Sequence, residues 1–365
     1  MQQGASTFKD SKRHYKTLDG LRGVAAVVVV MFHLFETFSG GDHAKQIINH
    51  GYLAVDFFFV LSGFVIGYAY DDRWNKMSLG GFFKRRLIRL HPMITMAMVI
   101  GAVTFYFQAS PVFPGIHEVP VSKLILVMLI GFTLIPVGKS LDIRGWGEMH
   151  PLNGPAWTLF FEYIGNILYA VIIRRLSNAV LFVLVILAGA ALIHLAVTSE
   201  QGDIIGGWSI QWPQFRIGLT RLLYPFLAGL LLSRIIKPGK IKHSFLWCGL
   251  LLIAVLAFPR VPMNGLYDSL CIIFVFPIIV YLGASGEEVA SRVSNFLGEI
   301  SYPIYIIHYP FIYLFVAWAE KNKPSPSEAV VGGAVVLITA ILLAYLCARL
   351  YDIPVRKWLT RKFMS

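Results

Sequence analysis

The sequence predicts an all-α, polytopic transmembrane helical bundle, and three observations carry that prediction. Of its 365 residues 56% are hydrophobic and 14% charged, with a mean hydropathy of +0.66, which is far from the usage of a soluble domain. Apolar stretches near the spanning length of about 20 residues follow one another almost to the end of the chain. Most of the basic residues sit in the short segments between them, where the positive-inside bias puts them.

The apolar stretches fall at about 18–39, 51–70, 86–107, 121–138, 156–173, 178–198, 214–235, 244–258, 265–283, 298–319 and 328–350. The first is too long and uninterrupted for a cleaved signal peptide and is expected to stay as a span. Lys9, Lys12, Arg13 and Lys16 put the N-terminus in the cytoplasm; Arg73, Lys76, Lys84, Arg85 and Arg86 do the same for the second connection, and Arg356, Lys357, Arg361 and Lys362 for the C-terminus. Two ends inside require an even number of crossings. The weakest stretch is 121–138, which opens with Ser122 and Lys123, carries Pro136 and lies between the Pro/Gly-rich SPVFPGIHEVP and GKSLDIRGWGEMHPLNGP. About ten crossings are therefore expected, plus a re-entrant or interfacial piece at 121–138; eleven crossings is the alternative. The implied organisation is a disordered cytoplasmic arm at 1–15, one transmembrane domain at 16–355 and a basic cytoplasmic tail at 356–365.

The net charge of +12 sits mostly in those connections, so it reports topology and lipid headgroups, not nucleic acid. Cys248, Cys271 and Cys347 lie in apolar stretches without CxxC or Cys/His spacing, which argues against a redox pair or a metal site. No helical-array repeat or inverted repeat of interrupted helices is visible.

An ionisable group inside a span is costly and is a functional candidate by default. In LDGLRGVAAVVVVMFHLFETF, Arg22 and His33 return to one helical face about three turns and 16 Å apart, with Glu36 one turn beyond. A cation at one end and an imidazole deeper in suit a long anionic ligand such as coenzyme A; the alternative is an arginine reaching for headgroups and a core histidine. Asp56, near the start of GYLAVDFFFVLSGFVIGYAY, could pair with His33 or face interfacial water. Ser62 and Gly63 read as a close helix contact. Arg86 and Arg89 in FFKRRLIRLHP lie one turn apart, a fork for phosphate oxygens or a simple inside anchor.

Counting from the outer end of LNGPAWTLFFEYIGNILYA puts Glu162 at the depth of His33, free to orient it, to bind an acceptor hydroxyl or to pair with Arg216 or Arg221. Asn153 and Trp157 are candidates for the rim of an acceptor site, although interfacial tryptophan is common. Arg216 and Arg221 are expected to partner these carboxylates. In GEISYPIYIIHYPFIYLF, Ser301, Tyr305 and His308 form a polar stripe on an aromatic helix, a sign of a cavity.

Five of these motifs in order, LDGLRGVAAVVVVMFH, DFFFVLSGF from Asp56, FFKRRLIRLHP, WTLFFE ending at Glu162 and ISYPIYIIHYP around His308, resemble the integral-membrane acyltransferase-3 family. That family includes bacterial O-acetyltransferases of surface polysaccharides and acyltransferases of macrolides and other small molecules. Two departures are visible: the usual Trp-Ser-Leu reads Trp157-Thr158-Leu159, and the appended extracytoplasmic esterase-like domain of many relatives is missing, so that a second transfer step is expected to need another protein. The resemblance implies an O-acyltransferase in a bacterial inner membrane, with acetyl-CoA or another acyl-CoA as donor and no metal. The acceptor it implies is a carbohydrate such as an exopolysaccharide, an O-antigen or a lipid-linked saccharide. On that reading Arg22, Arg86 and Arg89 hold the donor phosphates. His33 acts as base or transient acyl carrier, with Asp56 or Glu162 holding its ring and His308 beside it. Glu36, Asn153, Trp157, Arg216, Arg221 and Tyr305 face the substrate. The rivals are a small-molecule acyltransferase and, from another class, a transporter or flippase for a lipid-linked sugar.

Overall fold

A computed structural model describes residues 12, 14–286 and 291–364; residues 1–11 and 13 of the expected N-terminal arm lie outside it. Among the described residues the regular structure is helical, with two isolated β-bridges and no strand. In chain order the helices are α1 (Lys16–Ser39), α2 (Ala54–Tyr70), α3 (Leu79–Thr104), α4 (Val121–Phe132), α5 (Ala156–Val171), α6 (Asn178–Thr198) and α7 (Trp212–Ile235). They continue with α8 (Ser244–Ala257), α9 (Asn264–Leu270), α10 (Phe276–Ala284), α11 (Arg292–Ile307), α12 (Tyr309–Asn322), α13 (Pro326–Leu346) and α14 (Ile353–Phe363).

Local chemistry sets the ends. Ser78, Ser177, Ser291 and Ser325 cap α3, α6, α11 and α13 through their side chains, Ser325 in a capping box with Glu328. α1 stops at Gly40, whose φ of +62° returns its N–H to Glu36 O. Between α11 and α12 the axis bends by 55° because Pro310 supplies no N–H and its ring excludes the carbonyl of Ile306. The freed groups are satisfied by side chains. Asn153 Nδ2 donates to Ile306 O at 2.6 Å, and His308 Nδ1 lies 3.1 Å from Ile304 O and 2.8 Å from Tyr305 O.

Among the described residues eight helices are long and apolar enough to cross a membrane, or nine if the bent α11–α12 pair is one span. The stretch outside that set is α8, about 21 Å long against a hydrocarbon core of about 30 Å, although it runs from Ser244, close to Thr17, to beside His50, whose N–H meets Leu256 O. α4, in the stretch expected not to cross, is shorter still and ends where Leu134 takes a φ of +57°. Over most of the expected tail at 356–365, α14 continues α13 through a π-helical turn at Cys347–Asp352 and packs on α3, with Lys84 Nζ 3.2 Å from Phe363 O.

Two helix pairs form the centre, α1 with α11 and α2 with α7. Small residues allow the second pair to approach at backbone distance. A Cβ on Gly63 would lie 2.0 Å from Phe226 O, and one on Gly229 would lie 2.0 Å from Val60 O. The Ser62–Gly63 pair is thus a packing surface at Gly63, while Ser62 Oγ donates to Glu162 Oε1 at 3.0 Å. Gly63→Val should lower thermal stability by at least the 1–3 kcal/mol typical of overpacking, about, or abolish folded yield. Gly80→Ala, with nothing within 4 Å of its new Cβ, should leave both unchanged; fluorescence-detected size exclusion after heating measures each.

Candidate active site

The face of α1 carrying Arg22 and His33 borders two cavities. The first, of about 410 Å³, lies among the N-terminal ends of α1, α3 and α11 and is walled by Arg22, Arg86, Arg89, Glu162 and Ser301, with Asp352 and Arg356 beside α14. The second, of about 970 Å³, holds His33, Glu36 and His43 among the aromatic rings of Trp146, Trp157, Trp208, Tyr309 and Tyr313. Val55 and Tyr305 line both. The Tyr305 hydroxyl is tied to Thr158 Oγ1 at 2.9 Å and its ring meets Phe58 edge-on at 5.1 Å.

In the aromatic cavity His33 Nδ1 lies 2.8 Å from Glu36 Oε2, and His43 Nε2 lies 3.1 Å from Glu36 Oε1. One carboxylate therefore bridges two imidazoles. A carboxylate at that distance accepts from Nδ1–H, so in the neutral ring Nε2 is the nitrogen that keeps its lone pair. Tyr309 stands edge-on to the His33 ring at 4.8 Å, and the His308 ring stacks on it at 5.6 Å. His308 is fully buried, and its Nε2 has no partner.

The segment preceding α5 builds the far wall. Asp142 accepts the N–H groups of Gly145 and Gly147, closing a tight turn. Arg144 lies over the Tyr313 ring at 3.4 Å and binds Pro151 O and Gln108 Oε1. Tyr313 donates to Glu148 Oε2 at 2.5 Å. Burial pushes the Glu148 carboxyl up to about 7 and the neighbouring His150 down to about 4.

In the basic cavity Arg22 pairs with Asp19 at 3.0 Å and donates to Ser301 Oγ at 2.8 Å. Arg86 binds Glu162 Oε1 at 2.5 Å. Arg89 opens onto the cavity with no hydrogen bond or ion pair among the described residues. An unpaired arginine facing a polar cavity suits an anionic ligand. Among the described residues no three His, Cys, Asp or Glu side chains are placed to hold a metal ion.

Several expected pairings are corrected. Asp56 does not reach His33: fully buried, it binds Arg221 through Nε at 3.2 Å and Nη2 at 2.6 Å, and the same guanidinium caps Tyr52 O and Gly206 O. Glu162 is not at the depth of His33, because α5 starts from a buried segment in which Leu152 and Asn153 are fully covered; it lies in the basic cavity, on Arg86. Arg86 is consequently engaged and Arg89 is the open one. Arg216 is exposed and pairs with neither carboxylate. Asn153 is no rim residue, since it is buried and holds the broken α11–α12 backbone. Trp157 lines the aromatic cavity. His43, Glu148 and Asp352 carry no signal in the sequence reading, and Arg356 enters it only as a topology residue. The first two lie in connections with no periodicity, and Asp352 falls just past the last apolar stretch.

Comparison with known proteins places these features in a family. The family model described as acyltransferase domain matches residues 15–349. The chain is 24% identical to the peptidoglycan O-acetyltransferase OatA of Listeria monocytogenes, over 96% of this chain and 57% of that protein. It is 25% identical to a putative O-acetyltransferase of Staphylococcus aureus strain COL, over 85% of this chain and 52% of that one, so it spans little more than half the length of both. It is also 36% identical to protein 2 in the picA locus of Rhizobium radiobacter, over 42% of this chain and 79% of that protein. No solved structure matches it.

Two measurements check the electrostatics. Removing either member of the Asp56–Arg221 pair strands a buried charge, so Asp56→Asn or Arg221→Met should cost about 3–5 kcal/mol, and the double variant should recover part of it; thermal unfolding in detergent reads the effect. Glu148 holds its proton more tightly in the folded chain than at the ordinary 4.5. Its contribution to stability is therefore full below that pH and lost as pH rises towards about 7. Glu148→Gln should flatten the pH dependence across that window by up to about 1.4 kcal/mol per pH unit.

Proposed function

The chain belongs to the acyltransferase-domain family, and from that premise we propose that it is a membrane-embedded O-acetyltransferase. It moves an acetyl or related acyl group from acyl-CoA to a carbohydrate hydroxyl. The observation that carries this reading is the pair of cavities meeting at Tyr305 and Val55, one bearing the open arginine and the other the carboxylate-held His33. The basic segments at the chain ends support a cytoplasmic N-terminus and C-terminus in a bacterial inner membrane. The basic cavity then faces acyl-CoA and the aromatic cavity faces the periplasm.

Coenzyme A docks with its phosphates on Arg89 and Arg22, and its pantetheine arm runs past Tyr305 so that the thioester reaches His33. The acceptor hydroxyl gives its proton to His33 Nε2 as its oxygen bonds to the thioester carbonyl carbon. The tetrahedral intermediate breaks its C–S bond, and CoA leaves as the thiol with the proton that His33 took. Glu36 holds the ring and stabilises the imidazolium; Asp56 acts through Arg221 as an anchor of α2, and Glu162 positions Arg86. Trp146, Trp157 and Trp208 give flat apolar faces for sugar rings. A cell-envelope glycan or lipid-linked saccharide is the acceptor this favours, in keeping with the peptidoglycan named for the Listeria relative.

Mass spectrometry of surface glycans from cells with and without the protein should show a difference of one acetyl mass, and His33→Ala should not restore it. In purified form His33→Ala should lose about 10²–10⁴-fold in turnover, with acyl-CoA binding kept and Glu36→Gln losing less. Sealed vesicles with acetyl-CoA outside and the deacetylated glycan inside should give product inside. Unchanged glycans, or product only when both substrates share a compartment, would overturn the reading at the level of acceptor and of sidedness respectively.

A further inference from the structure

The basic cavity is not closed by the helices that carry the family motifs. Its remaining wall comes from the chain's last turns, where the π-helical segment Cys347–Asp352 interrupts an otherwise continuous helix. Such single-turn expansions re-aim side chains and recur at functional sites. Here the turn does so on a helix that is exposed along most of its length: Asp352 is 2% exposed and points inward. Arg349, on the same turn, is tied to Glu299 of α11 at 2.8 Å, and α14 is tied to α3 through Lys84. The turn is thus fixed against two of the helices that form the rest of the cavity.

Asp352 and Arg356 are joined by a 2.7 Å ion pair, and both line the cavity. Each keeps an unused polar atom in a buried position: Asp352 Oδ1 lacks a donor and Arg356 Nε lacks an acceptor. A buried acceptor and a buried donor left open on the two members of one ion pair are costly unless a ligand fills both. The ligand must offer an anion to the guanidinium and a hydroxyl to the carboxylate on neighbouring atoms.

We propose that the Asp352–Arg356 pair, presented by the π turn and α14, is the site for the 3′-phosphorylated ribose of the acyl-CoA donor. Arg356 takes the 3′-phosphate and Asp352 accepts from the adjacent 2′-hydroxyl. This rests on the acyl-CoA reading given above and adds to it the part of the donor that Arg22 and Arg89 do not reach. Arg22 lies about 16 Å along α1 from His33, a span for the pantetheine arm, which puts the diphosphate at Arg22 and Arg89. The nucleotide end then extends to the cavity wall formed by α14. The guanidinium fork suits a phosphate dianion, and the pairing with Asp352 holds it in place.

The test compares CoA with 3′-dephospho-CoA as ligands of the full-length protein in neutral-lipid nanodiscs, by titration calorimetry. The wild type should bind CoA about 10- to 100-fold more tightly, and Arg356→Ala should reduce that ratio to near unity while leaving dephospho-CoA affinity unchanged. Arg356→Lys should keep part of the ratio, which covers the case in which the alanine variant fails to fold. Asp352→Asn should weaken both ligands equally. A ratio unchanged in Arg356→Ala, or absent in the wild type, overturns the assignment. If the wild type binds neither ligand, the donor reading itself has failed. A lipid headgroup phosphate as the occupant would appear as stabilisation of wild type over Arg356→Ala by phosphatidylglycerol with the CoA ratio untouched, which also overturns it.

Discussion

The buried ion pair between Asp56 and Arg221 is the interaction from which the rest of the arrangement follows. Four hydrogen bonds leave the Arg221 guanidinium, two to the Asp56 carboxylate and one each to Tyr52 O and Gly206 O. They hold the start of α2, the connection before it and the approach to α7 at one point. Below that point the two helices close to backbone distance through Gly63 and Gly229. Val55, the residue beside Asp56, is therefore fixed where the two cavities meet. A pair this deep adds little net stability over an apolar substitute. It fixes the register of α2 on α7, and with it the width of the junction.

The same accounting runs through the whole bundle. A polar group in hydrocarbon needs a partner, so charges at depth sort into those the protein satisfies and those it leaves open. Asp56, Arg221 and Glu162 belong to the first class, and so do Asn153 Nδ2 and the Nδ1 side of His308, which serve carbonyls at the Pro310 break; Arg86 is paired with Glu162 yet keeps its Nε open. Arg89, the free nitrogen of His33, and the unused atoms of Asp352 and Arg356 belong to the second. The open groups are separated in space: open cations face one cavity and the open imidazole faces the other.

Along a single helix the sequence is a reliable ruler. The spacing of Arg22, His33 and Glu36 on α1 and of Ser301 and Tyr305 on α11 survives in three dimensions because 3.6 residues per turn is a property of the helix alone. The helical spans themselves are recovered within a few residues for the same reason. Across helices the ruler fails. Glu162 was counted from a supposed surface, yet α5 starts from a buried segment, so the count began too high and paired it with the wrong neighbours. Asp56 was matched to His33 by depth, whereas the azimuth of α2 turns it to α7, and nothing in one sequence encodes azimuth. Glu148 and His43 sit on connections where neither period applies. Arg356 was hidden in a basic run that topology already explained.

The junction at Tyr305 shows why both cavities are needed and why they are not one. On the proposed reading a thioester must pass from an aqueous, basic chamber to a chamber open on the other face. A bore wide enough to stand open would also pass water and ions from one face to the other. A single side chain, braced by Thr158 at its hydroxyl and by Phe58 at its ring, closes the path with one hydrogen bond and one edge contact. The narrow pantetheine arm can displace such a contact with the binding energy of the phosphates, which remain behind on arginines. On that reading the charged part of the donor stays on the side it came from, and only the uncharged thioester end reaches the imidazole.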